Sequence, residues 1–260
     1  MNRYPLISAA SLLATLTLAS ACTHTPSAPS TPDSITAAVA DANRPAADAQ
    51  RDANRKPTDT LVFAGVRSGE QIGELVPGGG YFTRIFSKAV GPSGHVYALV
   101  PPRPANPPPN APDRSAAIRA LAADANYPNI SVVELTLGKV TSPVPLDLVF
   151  TAQNYHDLHN IPTLDVAAFN KSVFDSLKPG GLYVVLDHSA PAASGAKDTN
   201  TLHRIDVDFV KTEVMASGFE FVASSDILAN PADPRTANVF DPSIRGKTDQ
   251  FILKFRKPKK

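Results

Sequence analysis

The chain has one cysteine, no tryptophan and two methionines in 260 residues. A single cysteine excludes an intramolecular disulfide and any zinc site built from several thiolates. Neither sign of charge is in excess: 25 Lys plus Arg stand against 24 Asp plus Glu, a formal net charge of +1. So balanced a chain has no global pull toward nucleic acid, and no nucleic-acid partner is expected. Long apolar runs are also scarce. Residues 6–21 form an apolar stretch that is too short, and too rich in Ser and Thr, for a comfortable membrane span. No internal repeat is visible. What is present, 43% hydrophobic against 19% charged residues, suffices for a globular core.

Asn2-Arg3-Tyr4 brings one positive charge in front of the apolar stretch, so residues 1–21 read as a signal peptide. It closes on Leu18-Ala19-Ser20-Ala21-Cys22, with the sole cysteine at the junction. This resembles a bacterial lipoprotein signal, which implies cleavage before Cys22 and lipidation of that residue. The alternative is an ordinary cleavage after Ala19-Ser20-Ala21 that leaves Cys22 unmodified. Thr23 follows where Asp would imply retention at the inner membrane, so the resemblance implies an outer-membrane-anchored lipoprotein of the cell envelope, facing the periplasm. Residues 22–57 are rich in Ala, Pro, Ser, Thr, Asp and Asn and are expected to form a disordered tether. Short helices at 35–42 or 46–55 are the alternative there, though neither has a convincing apolar face. The folded domain is expected over 58–260, and the basic end from Lys254 onward as a solvated tail.

Beyond Thr58, apolar runs alternate with helical patterns. Strands are expected at 71–76, 95–100, 130–135, 146–151, 182–186, 219–223 and 251–255. Helices are expected at 81–90, 114–125, 165–177 and 199–216, with glycine or proline at most ends. Asp113 is placed to cap the second of these. Residues 101–112 hold seven prolines in twelve, a stiff surface insertion. Strands alternating with helices imply a three-layer α/β fold with a mostly parallel seven-stranded sheet.

The order of elements and their punctuation resemble a class I S-adenosylmethionine (SAM)-dependent methyltransferase, a Rossmann-like fold. Ile72-Gly73-Glu74-Leu75-Val76-Pro77-Gly78-Gly79-Gly80 is similar to the family's acidic residue followed by G-x-G-x-G, with Val76 in place of the first glycine. Leu146-Asp147-Leu148-Val149-Phe150 with Asn154-Tyr155-His156-Asp157-Leu158 looks like the fourth strand and the segment after it. Leu177-Lys178-Pro179-Gly180-Gly181 is similar to the loop before the fifth strand. The run as a whole resembles an exported, uncharacterised "predicted methyltransferase" group. The resemblance implies SAM as cofactor, a small-molecule substrate, and cofactor contacts from Glu74, Pro77, Gly78, Gly79, Gly80, Tyr81 and Asn154. Physically, a glycine turn at the carboxyl end of a strand lets a ligand approach the backbone, and the helix start behind it favours a carboxylate. The chain departs from the family at the second strand, which ends Ala98-Leu99-Val100-Pro101 where a ribose-binding carboxylate usually stands. Near the third strand the nearest acid is Glu134.

His156, Asp157 and His188 are the candidate catalytic residues. Both segments follow strands whose carboxyl ends should share one crevice with the glycine turn. An imidazole there is suited to general-base work near neutral pH. The competing reading makes Asp157 and Asp187 local caps and the imidazoles mere backbone partners. A metal held by His156 and His159, with Asp157 or Asp187 as an oxygen ligand, is a rival use, but no further ligand stands at motif spacing, so no metal is expected. His203, Arg204, Asp206 and Asp208 read as the wet face of the last helix, with its first turn placed where it could also rim the crevice. The function implied is SAM-dependent methyl transfer in the cell envelope. The alternative is a non-catalytic small-molecule-binding or scaffold lipoprotein that keeps the fold.

Overall fold

The computed structural model describes Met1 and residues 31–102, 110–136 and 138–259. The rest of the expected signal peptide beyond Met1, Cys22, Thr23 and the middle of the proline-rich insertion lie outside the described residues. No described helix is long and apolar enough to cross a membrane.

The chain begins with α1 (Thr31–Val39), α2 (Ala46–Ala49), α3 (Asp52–Arg55) and α4 (Pro57–Ala64). This differs from the expected disordered tether and agrees with the short-helix alternative, most closely at 46–55. Ile35 and Ala38, three residues apart on α1, are buried, as are Leu61 and Ala64 on α4. Polar locks supplement this thin apolar face. Arg44 pairs with Asp52 at 2.7 Å, and Asp52 also accepts from the Tyr81 hydroxyl at 2.6 Å. The segment orders because it docks on the domain, a gain that composition alone does not show.

The domain then runs β1 (Gln71–Leu75), α5 (Tyr81–Val90), β2 (His95–Val100), α6 (Ala116–Ala122), β3 (Ile130–Glu134), β4 (Leu146–Ala152), α7 (Tyr155–Leu158), α8 (Val166–Ser176), β5 (Leu177–His188), α9 (Val207–Ala216), β6 (Glu220–Ser225) and β7 (Gln250–Arg256). One seven-stranded sheet has the order β3-β2-β1-β4-β5-β7-β6. Its first five strands pair in parallel, and β7 runs antiparallel to both β5 and β6. The sheet is thus mixed, with the antiparallel hairpin at one edge.

Period-2 alternation divides the core into two layers. Val96, Ala98, Val184 and Leu186 face one layer with Ile35, Phe82, Ile85 and Phe86. Tyr97, Leu99, Tyr183 and Val185 face the other with Phe169, Val173 and Val210. Phe82 and Phe86 both meet the edge of Phe150, at 5.0 and 5.2 Å between centroids, which fixes α5 against β4.

Two elements differ from expectation. β5 begins at Leu177, so Lys178-Pro179-Gly180-Gly181 lies within the strand rather than before it. Gly180 donates to the Lys257 carbonyl and Lys257 to that of Gly181, each at 2.9 Å. The irregularity appears instead as a register shift against β4 between Leu146 and Leu148. The last helix begins at Val207, not at 199. Asp206 caps it, accepting from the Asp208 amide at 2.9 Å, and Ile205 forms a parallel bridge with Ser189. Arg204, expected in water, is fully buried against Asp233.

Candidate functional site

The carboxyl ends of β1, β2 and β3 open on a cleft of about 580 Å³. Val76, Pro77 and Gly78 form one wall, Val100 to Pro102 another, and Asp113, Ile118 and Glu134 close the rim. Val76 stands at φ +49°, a left-handed conformation that is costly for a β-branched side chain. The backbone therefore keeps the bend that glycine would adopt there, although the glycine is gone. Gly78 and Gly79 face open space, with no atom within 4 Å of where a Cβ would lie. Gly80 differs: its φ is +82° and a Cβ would come within 2.6 Å of Leu121. Of the expected glycine contacts, the structure opens Gly78 to the cleft, leaves open space beside Gly79 and commits Gly80 to packing.

The other expected cofactor contacts serve the frame. Asn154 donates at 3.3 Å to the carbonyls of Leu75 and Val76, so it ties the glycine turn to β4. Tyr81 is buried and stacks with Arg55, whose guanidinium lies 4.6 Å from the ring centre. Burial holds the Arg55 pKa down at about 10. Arg84 donates to the Gly79 carbonyl at 2.8 Å and pairs with Asp48 at 3.1 Å. The N-terminal helices are thereby fastened to the start of α5 and to the turn. Pro77 lies in the cleft wall.

Glu74 is buried and accepts from the Thr83 hydroxyl at 2.6 Å. Burial pushes its pKa up to about 8 from the usual 4.5, against the lowering by Thr83, Arg55 and Arg84. Because the folded pKa lies above the unfolded one, the folded state binds the extra proton between these values, and stability falls as pH rises from about 4.5 to about 8. Glu74→Gln keeps the acceptor for Thr83 and removes the charge. It is expected to raise the melting temperature at pH 8 by several degrees and to flatten its dependence over that window, which thermal scans at a series of pH values would measure. An unchanged pH profile in the variant would refute the assignment.

The expected catalytic residues gather at the ends of β4 and β5. His156 is buried and its Nδ1 lies 2.8 Å from the fully buried Asp187, which also accepts from the His156 amide at 2.8 Å. Burial opposes charge on the ring, but the Asp187 carboxylate outweighs it and holds the His156 pKa above its usual value. His188 is different. Its Nδ1 meets Thr248 at 2.7 Å, and burial brings its pKa down to about 4, so it is neutral at pH 7. His156 Nε2 reaches His203 Nδ1 at 3.3 Å and Asp157 Oδ1 at 3.4 Å. His159 points elsewhere, toward Glu213 at 3.2 Å. His203, expected in the first turn of the last helix, lies in the loop before that helix, and the loop brings it to the site. Asp113 and Glu134 were read as a cap and a strand acid; they line the cleft, with Glu134 in register with Val100 one strand away and held by Arg119.

No protein-family model matches the chain. It is 32% identical over 141 residues to the ubiquinone/menaquinone biosynthesis C-methyltransferase UbiE of Pseudomonas paraeruginosa (strain DSM 24068 / PA7), a match that covers 52% of this chain and 48% of that protein. The chain thus matches about half the length of this curated relative. A SAM-dependent methyltransferase from Aquifex aeolicus superposes with a TM-score of 0.57 at 16% identity, covering 87% of this chain and 98% of the other. One from Mesorhizobium loti gives 0.54 at 18%, covering 79% and 99%. The glycopeptide N-methyltransferase MtfA, solved with SAM, gives 0.53 at 17%, covering 77% and 86%. With the strand order and the glycine turn after β1, these likenesses establish a Rossmann-like fold of the SAM-dependent methyltransferase type.

Proposed function

We propose that the protein is a SAM-dependent methyltransferase of the bacterial cell envelope. The observation that carries this reading is the open glycine turn: Gly78 and Gly79 leave room where side chains would stand, beside a cleft at the end of β1. The residues present fit the cofactor. Backbone amides at the start of α5 suit its carboxylate, and Val76, Pro77 and Ile118 offer apolar surface to the base. When bound, SAM supplies an electrophilic methyl group. The chain's part is to hold the acceptor in line with it, where proximity supplies most of the rate. His156, Asp157 and His188 stand at the ends of the neighbouring strands and mark the acceptor side. Calorimetric titration of the protein with SAM tests the reading.

The setting in the envelope rests on the sequence of residues 1–23. Cleavage before Cys22 and acylation there would anchor the domain by burying CH₂ groups in a membrane. Intact mass of the detergent-extracted protein is expected to start at Cys22 with added acyl mass, and Cys22→Ala is expected to leave the membrane fraction. An unchanged membrane fraction in that variant would refute the anchor.

A further inference from the structure

We infer that His156, Asp157 and His203 form a binding site for a divalent first-row transition ion, with zinc the best-fitting occupant. The candidate ligand atoms come from α7 and from the 199–206 loop, which sequence spacing does not connect. His156 Nε2 and His203 Nδ1 are 3.3 Å apart, His156 Nε2 and Asp157 Oδ1 3.4 Å, and His203 Nδ1 and Asp157 Oδ1 3.7 Å. Tetrahedral zinc bonds of about 2.0–2.2 Å place ligand atoms about 3.3–3.6 Å apart. An octahedral ion with bonds of about 2.1 Å would draw them to about 3.0 Å. A single hydrogen bond between the two rings would account for the first distance. It does not account for a carboxylate oxygen within reach of both nitrogens. Two nitrogens and one oxygen suit zinc, iron(II) or cobalt(II) rather than calcium or magnesium.

The surroundings support the same assignment. His156 Nδ1 donates to Asp187, which selects the neutral tautomer that leaves Nε2, the atom near the other two, without a hydrogen. Asp187 is itself fixed by the amides of His156 and His188, each at 2.8 Å. A buried carboxylate behind a ligating histidine is the arrangement that orients the ring and raises its basicity. His203 is held at φ +55°, in the left-handed region that any residue but glycine occupies at some cost. The strain persists because neighbours over-determine the loop: Arg204 is clamped to Asp233, and the Val239 amide donates to the Leu202 carbonyl at 3.1 Å. Among the described residues, Asp157 forms ion pairs with His156 and His203 and with no lysine or arginine. The Asp157 side chain is 53% exposed and that of His203 29%, so ions can enter and further coordination positions face solvent. Three protein ligands with an open side are the pattern of an exchangeable or catalytic ion rather than a closed structural one. The assignment does not depend on SAM binding, since the cleft between β1 and β2 contributes none of its ligands.

The test is cobalt(II) titration of the chelator-stripped full chain, followed by visible absorption, without SAM. One equivalent is expected to bind with the intense ligand-field bands of a four- or five-coordinate ion and to be displaced by zinc. Asp157→Ala and His203→Ala are each expected to weaken binding at least a hundredfold while circular dichroism remains that of the parent. Asp187→Asn, a positioning change, is expected to weaken it tenfold to a hundredfold. His95→Ala, whose ring sits at 2.8 Å from Ser131 on the far part of the sheet, is expected to bind like the parent. If His203→Ala fails to fold, Asp157→Ala decides, because its side chain is half exposed. No cobalt binding by the parent, or parental affinity in a folded Asp157→Ala chain, would overturn the assignment.

Discussion

Arg204→Ala is expected to destabilise the domain by about 3–5 kcal/mol, which for a chain of this size lowers the melting temperature by roughly 6–20 °C. Arg204 and Asp233 are both wholly shielded from water and meet at 2.8 Å through one nitrogen and 3.2 Å through another. The guanidinium also donates to the carbonyls of Ala237 and Ser189. Removing it strands a buried carboxylate and two carbonyls. The damage should be local as well as global. Asp233 also accepts from the amides of Asp249 and Arg235, so the loop between β6 and β7 hangs on this pair. That loop carries Thr248, the partner of His188, and Phe240, whose ring lies 4.9 Å from that of His203. Differential scanning calorimetry and cobalt affinity should therefore both respond. Replacing both partners at once, Arg204→Met with Asp233→Leu, is expected to recover much of the stability, because the cost lies in the unpaired charge. A melting temperature within a degree of the parent for Arg204→Ala would refute the role.

Gly80→Val is expected to cost about 2–6 kcal/mol, from a β-branched residue forced to positive φ and from overlap with Leu121. Gly79→Val should behave in the opposite way. Its Cβ meets nothing, and its φ lies outside the left-handed range, so the melting temperature should stay within about two degrees. Its branched side chain would instead occupy the approach to the turn, and SAM affinity should fall at least tenfold. The neighbouring glycines thus separate folding from binding. Melting curves and titrations of both variants measure the difference. Equal effects of the two substitutions on stability would contradict the geometry of the turn.

Much of the sheet was legible because its strands are apolar runs bounded by glycine and proline. His95–Val100 and Leu182–Leu186 are buried on both faces, and such strands read as continuous hydrophobic stretches. The helix of Tyr81–Val90 was legible from its 3.6-residue stripe ending at Gly91. Leu202, Ile205 and Phe209 imitate the same stripe, and there the reading failed. Ile205 is buried through its bridge to Ser189, while Phe209 is 36% exposed. Asp206, an effective cap, was the available signal that the helix starts later. Burial of Arg204 depends on Asp233, 29 positions away, and no local pattern encodes such a pair. Over 31–57 the structure has the short helices weighed as the alternative to a disordered tether, for a related reason: Arg44, Asp52 and Tyr81 order that segment through contacts with the domain. At the site, local spacing joins His156 and Asp157, whereas His203 could be set at the crevice rim only by the order of elements, since a loop delivers it from 46 residues beyond Asp157.

The ribose-binding carboxylate that the family resemblance implies is absent at the end of β2, where Val100 is buried. Glu134 at the same level is engaged by Arg119, and Asp113 by the Ser115 amide and hydroxyl. A charge-assisted hydrogen bond contributes about 1.5–3 kcal/mol, so its loss weakens binding about tenfold to a hundredfold. Isothermal titration of the purified protein with SAM tests the central claim most directly. The expected result is one saturable site with a dissociation constant on the order of 10⁻⁴ M, weakened in Gly79→Val and tightened in Val100→Asp. A folded protein that shows no saturable binding up to about 5 mM SAM would contradict the account.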